Sequence, residues 1–374
     1  MNLRNGPTRE FDVLMFAGAV ALLAYGAALI YSGSLSQYGS GAEALRGPVA
    51  RQMVYAILGI TAMLVISRVD YRLLGPLSPT IYVVTLALLV YVLFAGTMEY
   101  GSRRWIEVPG FRMQPSELAK VSTVILLAKY FSDNEDHVRT LRVFLTSLVI
   151  AGIPALLVLL EPDLGSASVF FFLWLGIAVV AGVRGTHLAA LFAIGAALMP
   201  LAVYEILHGY QRERIDIWRD PTKDPLGSGF NILQAEVSIG SGGFWGKGFT
   251  SGTQTQLDYL RTQTTDYVFS VAAEELGFIG VMVLFGLFVL LLFRCLRVAG
   301  RADDMFGRLM AVGIPTFILF QVFVNIAVNI RLIPVTGVPL PLVSLGGSSL
   351  VTVLLALGIL QSVLGNRRKR SRRV

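Results

Sequence analysis

Apolar residues run along the chain in stretches of about twenty, the length a helix needs to cross a bilayer, separated by short polar or glycine- and proline-containing breaks. Ten such stretches are present, approximately Phe11–Ser32, Met53–Ile66, Pro79–Ala95, Pro115–Phe131, Val143–Leu160, Gly165–Val183, Thr186–Leu207, Tyr267–Arg294, Phe306–Ile330 and Leu345–Leu364. The second is short and extends into Arg51 or Val69. The first is longer than a signal-peptide core and no small-x-small cleavage site follows it, so it reads as a retained helix. The predicted fold is an all-α polytopic membrane protein with about ten transmembrane helices, a single integral membrane domain over residues 1–374. Most connections are short. The exception is one long extracytoplasmic loop between the seventh and eighth helices, residues 208–266. A loop of about 58 residues is functional or disordered in most proteins. This one holds Trp218, Phe230, Ile232, Phe244, Trp245 and Phe249 among its charges and glycines, which predicts a folded cap with short interfacial helices. No internal repeat is evident, which argues against an inverted-repeat transporter.

Composition sharpens this picture. Hydrophobic residues make up 55% of the chain and charged ones 15%, against roughly 25% charged in soluble domains. With a mean hydropathy of +0.67, a cytosolic enzyme, a disordered chain and a disulfide scaffold are excluded. One cysteine, Cys295, rules out a cysteine zinc site, and three scattered histidines argue against a histidine one. The net charge of +7 owes much to the run Arg367, Arg368, Lys369, Arg370, Arg372 and Arg373. Placed after an apolar stretch and without aromatic interleaving, it reads as a basic cytoplasmic tail, 365–374, beside anionic lipid, with no nucleic-acid partner. Ten spans with both termini cytoplasmic put 18 of the 31 Lys and Arg residues inside and 13 outside, six of these in the long loop. So many outer cations predict an anionic ligand.

Three outer clusters are candidates for chemistry. Arg104 beside Trp105 fits an interfacial anchor or a forked contact to phosphate. Just beyond, Glu117 and Lys120 share a helix face, either as a mutual ion pair or as the lining of a polar cavity. The second cluster, Glu161-Pro-Asp-Leu-Gly165, fits plain turn chemistry or a site at Asp163. The third is the long loop. Its glycine run, Ile239 to Gly248 with Lys247, could cradle an anion but lacks Walker A spacing. Asp266 is either a helix N-cap or a base at the membrane surface. Glu274 and Glu275 fall roughly 12–14 Å further along an unbroken helix and need cationic or polar partners.

The order of these segments resembles the SEDS family of shape, elongation, division and sporulation proteins, above all its RodA branch. The matching stretches are Ser102-Arg-Arg-Trp105, Gln114-Pro-Ser-Glu117 with Lys120, Pro162-Asp-Leu-Gly165, Tyr210-Gln with Arg214-Ile, Asp220-Pro with Asp224-Pro, Gly240-Ser-Gly-Gly with Gly246-Lys-Gly, Gly252-Thr-Gln, Thr265-Asp266 with Glu274-Glu-Leu-Gly277, and Pro334 to Pro341 with Gly346-Gly-Ser-Ser349. The resemblance implies a ten-helix peptidoglycan glycosyltransferase of the bacterial cytoplasmic membrane. It implies polymerisation of lipid II onto a growing glycan strand, a class B penicillin-binding protein as transpeptidase partner, and Asp266 as the essential aspartate. The chain departs from the family in having Leu260-Arg-Thr-Gln-Thr264 where Leu-Pro-Glu-x-His is common, Glu161 where Gln is common and Leu345 where Tyr is common.

Lipid II carries its sugar on an α-linked pyrophosphate, and the product is β-1,4-linked, so one inverting displacement suffices. The leaving pyrophosphate is already a stable anion and needs no general acid. One base must take the proton of the incoming 4-hydroxyl, and cations must hold the pyrophosphate, unlike the two carboxylates that hydrolyse a glycoside. Asp266 is the expected base. Arg104, Lys120 and Arg214 are the expected cations, and Trp105, Glu117, Asp163, Lys247 and Ser348 complete the expected substrate site. A divalent cation, magnesium or manganese, would suit the hard oxygens of carboxylate and pyrophosphate. The competing reading is a lipid II flippase, which needs a polar route open alternately to both sides. The polar residues concentrate on the outer side, which favours the enzyme.

Overall fold

The structure, a computed structural model, describes residues 10–39, 41–99, 102–108, 111–201 and 209–366. Fourteen α-helices follow in order: α1 (Val13–Tyr38), α2 (Gly41–Ala44), α3 (Ala50–Ile66), α4 (Leu74–Ala95), α5 (Pro115–Asp133), α6 (Leu141–Leu160), α7 (Leu164–Ala181), α8 (Gly185–Leu201), α9 (Gly209–Arg219), α10 (Ser228–Gly242), α11 (Thr253–Gln256), α12 (Val268–Ala299), α13 (Met305–Asn329) and α14 (Gly347–Gly365). Every predicted span has its helix. The second is α2 and α3 joined through a π-turn that carries Gly47 and Pro48, and together they cover Gly41–Ile66. Among the described residues, eight spans are long and apolar enough to cross a membrane by length and composition. The other two are α5, which carries Glu117, Lys120, Lys129 and Asp133, and α8, which is described to Leu201. The end of the seventh predicted span, 202–207, and the basic tail from 367 onward lie outside the described residues.

The layering explains why α5 tolerates charge. It packs against α4, α6, α7 and α13, and Glu117 and Lys120 are buried within that contact. Helix α14 lies against α3 and α13 and is buried over most of its length, including Ser348 and Gln361. Helices α4 and α6 instead present leucines and valines outward, as Leu145, Val149 and Leu156 do. That is the expected face of a helix with lipid as its solvent, where apolar residues surround the axis.

The two ends of the bundle are closed differently. At one end Asp12 caps α1 by accepting from the Met15 amide at 2.9 Å. Its carboxylate is gripped by Arg294 at 2.6–3.0 Å, and Gln361 bonds both its backbone groups at 2.8 and 2.9 Å. Three helices are tied there by one residue. At the other end stands a small sheet, between the third and fourth spans. β1 (Thr97–Glu99), β2 (Ser102–Val108) and β3 (Phe111–Met113) form an antiparallel sheet in that order, with Thr97 opposite Trp105 and Ile106 opposite Met113. The cross-strand pair Glu107–Arg112, 2.9 Å apart, supports it.

Helix α12 is interrupted, where the sequence predicted one continuous rod. Gly277 has φ +64° and ψ −164°. The segment 243–248 lies against the break: Phe278 and Ile279 amides donate to the Gly243 and Phe244 carbonyls, and Lys247 and Gly248 amides donate to the Glu274 and Glu275 carbonyls, all at 3.0–3.3 Å. A Cβ on Gly277 would fall 2.2 Å from the Gly246 nitrogen. Gly277→Val combines a left-handed backbone with that clash, so we expect at least about 2 kcal/mol of destabilisation. A thermal melt of the detergent-purified variant checks this, and an unchanged melting temperature would remove the break from the folding argument.

Candidate active site

Asp266 sits in the turn just before α12. Its amide donates to the Thr262 carbonyl at 3.1 Å. Its own carbonyl accepts from Asn325 and Asn329 of α13 at 3.1 and 2.9 Å. Asn329 also accepts from the amide and hydroxyl of Ser270. The preceding residues are fixed from the α13–α14 connection: Ser344 donates to the Thr265 carbonyl and the Leu345 amide to that of Thr264. The N-cap position of α12 belongs to Tyr267, with no side-chain capping bond. The capping reading of Asp266 is therefore set aside: its carboxyl is half-buried and accepts no hydrogen bond among the described residues. Burial pushes it up to about 6, with Asp163 acting in the same direction and Arg214 and Arg104 opposing.

Those same charges define the neighbourhood. Arg104, on β2, donates to the carbonyls of Glu161 and Pro162 at 3.0 and 2.7 Å and lies 3.6 Å from the Asp163 carboxylate. Asp163 caps α7 through the Ser166 amide at 2.9 Å. Arg214, on α9, donates to the Val335 carbonyl at 2.8 Å. Arg104 thus spends Nε and Nη2 on holding the turn at 161–163, and its Nη1 lies beside the Asp163 carboxylate.

Elsewhere the expected residues divide. Trp105 is half-buried beside Arg104, and its carbonyl accepts from Thr97 at 3.0 Å. Glu117 and Lys120 form a 2.7 Å ion pair at 1% and 0% exposure. Neither Lys120 Nζ nor Glu117 Oε2 has a hydrogen-bond partner beyond it among the described residues. Ser348, at the start of α14, and Ser116, at the start of α5, are buried with unpartnered hydroxyls among the described residues, and the hydroxyl of partly buried Thr336 in the α13–α14 connection is likewise unpartnered.

Lys247 goes elsewhere. Its ammonium is held by Glu274 at 2.8 Å and Thr253 at 2.6 Å, and it is not among the charges acting on Asp266. Glu274 also accepts from the Gln254 and Thr255 amides at 2.9 and 3.1 Å. Glu275 accepts from Ser32 at 2.5 Å and the Thr250 amide at 3.1 Å. Both carboxylates lie on the cap side of the Gly277 break and pin the Gly-Thr-Gln loop to α1 and α12. Likewise Asp220 and Asp224 serve the cap's architecture, bonding the Thr222 and Ser228 amides. No motif in the sequence singles out Asn325, Asn329 or Arg331. Arg331 donates to the Trp218 and Arg219 carbonyls at 3.1 Å and pairs with Glu236 at 3.3 Å, joining cap to bundle. Among the described residues no three His, Cys, Asp or Glu side chains converge as a metal-binding group.

Apolar helices throughout, with a half-buried carboxyl and two arginines under a helical cap at one end, define a polytopic helical membrane protein with a polar site among its helix ends. The sequence profile of the cell cycle protein family FtsW/RodA/SpoVE matches residues 12–369. The chain belongs to that family. It is 36% identical over 365 residues to peptidoglycan glycosyltransferase MrdB of Escherichia coli (strain K12), covering 98% of this chain and 96% of the relative. It is 37% identical over 355 residues to stage V sporulation protein E of Bacillus subtilis (strain 168), covering 94% and 96%. Among solved structures, a chain from a peptidoglycan synthase complex that coordinates polymerization and crosslinking matches with a TM-score of 0.81 at 33% identity, covering 96% of this chain and 99% of that one. The rod shape determining protein RodA of Thermus thermophilus matches with a TM-score of 0.69 at 28% identity, covering 96% and 98%.

Proposed function

We propose that this chain, a peptidoglycan glycosyltransferase, joins lipid II units into β-1,4 glycan for cell elongation and shape, with Asp266 as the base that takes the proton of the incoming 4-hydroxyl. The observation that carries the reading is Asp266 itself: its backbone is fixed by two asparagines, while its carboxyl accepts no hydrogen bond among the described residues and lies within the electrostatic reach of Arg214 and Arg104. A carboxyl with its pKa near 6 is ionised at neutral pH and is a stronger base than a solvated aspartate. Arg104 and Arg214 supply positive charge for the leaving diphosphate. Trp105, Asp163 and Ser348 line the approach, with the Glu117–Lys120 pair deeper. Lys247 acts on the substrate only through the cap that it anchors. A magnesium or manganese ion, where one takes part, would rest chiefly on diphosphate oxygens, because the described side chains offer no ready three-ligand group. The partner we assign is a class B penicillin-binding protein, in keeping with the synthase complex that this chain resembles. A flippase would need a polar route at both ends of the bundle, yet at the far end Asp12, Arg294 and Gln361 are consumed by one another.

Polymerisation of purified lipid II in detergent, with and without the transpeptidase, is the direct test, and glycan chains made by the chain alone are the expected result. For location we propose the bacterial cytoplasmic membrane, termini inside and Asp266 outside, on the bias of Lys and Arg. With Cys295 replaced, a cysteine at exposed Leu226 of the cap should react with an impermeant maleimide added to intact cells. One at Glu135, between α5 and α6, should react only after the cells are opened. The reverse pattern would invert the topology and remove the site from its substrate.

A further inference from the structure

Glu161 ends α6, and the carboxyl at its tip has no task in the fold. The side chain is 1% exposed, and neither Oε1 nor Oε2 has a hydrogen-bond partner among the described residues. Its surroundings are fully used. The Glu161 carbonyl takes Arg104 Nε, the Pro162 carbonyl takes Arg104 Nη2, and the Asp163 carboxylate caps Ser166 while facing Arg104 Nη1. Two carboxyls thus flank Pro162, and the one guanidinium at hand is engaged by Asp163. The other charges near this turn are few. Arg104 comes from β2 and Asp163 from the start of α7, and both also act on Asp266, as Arg214 does. Helix α5, packed on α6 and α7, brings Glu117 and Lys120, which are paired with each other. The last turn of α6 brings none, and the connection packed on Gly165 brings Thr336 and Val338. A buried carboxylate with no donor would be held at great cost, whereas a neutral acid is a donor waiting for an acceptor.

We propose that Glu161 is a substrate-binding residue that works as an uncharged acid, donating its O–H to an oxygen of the diphosphate of the bound lipid-linked sugar. This rests on the substrate class assigned above. Diphosphate oxygens only accept, so an ionised Glu161 would have nothing to donate and would repel them, while the neutral acid adds a hydrogen bond without cancelling the charge of Arg104 and Arg214. Burial, and then Asp163, push Glu161 up to about 8 against the pull of Arg104, so it is mostly protonated where Asp266 is already ionised. Two carboxyls in one site, driven apart by their environments, then divide the work of base and donor.

The test is the pH profile of lipid II polymerisation by the purified full-length protein. The wild type should rise through about pH 6 and fall through about pH 8. Glu161→Gln keeps a donor but cannot ionise. It should be a few-fold slower at pH 7, keep the rise and lose the fall, so that at pH 9 it outpaces the wild type by roughly tenfold relative to each protein's own maximum. Glu161→Ala should raise KM about tenfold and leave the rise at pH 6 in place. Infrared titration of the substrate-free protein provides a readout that does not depend on turnover: a protonated-carboxyl band at pH 7 that fades by pH 9.5 and is missing in Glu161→Gln. An alkaline fall that persists in Glu161→Gln, absence of that band, or Glu161→Asp active where Glu161→Gln is dead would each overturn the proposal. A wild type inactive on lipid II would be a failure of the functional reading, and the infrared band would still decide the protonation of Glu161.

Discussion

Asp266→Asn will give a folded protein that makes no glycan. The amide matches the carboxyl in size, and nothing in the fold depends on the side chain. The Asp266 carbonyl is held by Asn325 and Asn329, its amide by Thr262, and the N-cap position of α12 is Tyr267. What disappears is basicity, and general base catalysis contributes about 10²–10⁴-fold. Size-exclusion and thermal profiles should overlay those of the wild type while polymerisation falls at least a hundredfold. The sign of the pH dependence follows from the raised pKa. The carboxylate is the working form, so the wild-type rate climbs with pH through about 6 and at pH 5 stands near one-tenth of its plateau. An Asn variant that polymerises within tenfold of wild type would strip Asp266 of its role.

The second large effect is on stability. Lys120→Ala removes one half of a pair that is 2.7 Å apart and almost wholly buried. Breaking a buried pair from one side leaves a stranded charge and costs about 3–5 kcal/mol, whereas replacing both partners with neutral groups of similar volume is often close to neutral. Lys120→Ala should therefore be poorly expressed and melt early. The double variant Glu117→Gln with Lys120→Met should recover most of the melting temperature. We expect the double variant to remain inactive, because Glu117 Oε2 is left without a partner among the described residues and the pair is open to a further polar group. Full activity in the stable double variant would reduce the pair to a structural bolt.

How much of this was legible beforehand follows from which interactions are local. Apolar runs of span length mark the long helices, and α5 is readable despite its charges because Pro115 opens it and Glu117 and Lys120 share a face. The β1–β3 sheet is not readable that way. Its strands are three to seven residues long, and their pairing owes more to neighbouring strands than to any period in the sequence. The site splits similarly. Asp266, Arg104, Asp163 and Arg214 lie in segments that the family resemblance ties together, so their meeting is no surprise. Lys247 looked like one more cation for the substrate, yet its partner Glu274 is 27 residues away along the chain, and no spacing rule connects them. Asn325 and Asn329 sit one turn apart in an apolar helix, where their amides could have been taken for lipid-depth packing. Only the fold reveals that both reach the same carbonyl.

The break at Gly277 has a mechanical consequence. The long apolar arm of α12 lies on one side of a single glycine, and on the other is the short arm that begins just after Asp266. The segment 243–248 is stitched across the break by four backbone bonds, two to each arm, so the cap is joined to both. A contact on Phe278 or Val283, both exposed on the outside of the bundle, is therefore a contact on the same helix that Asp266 precedes.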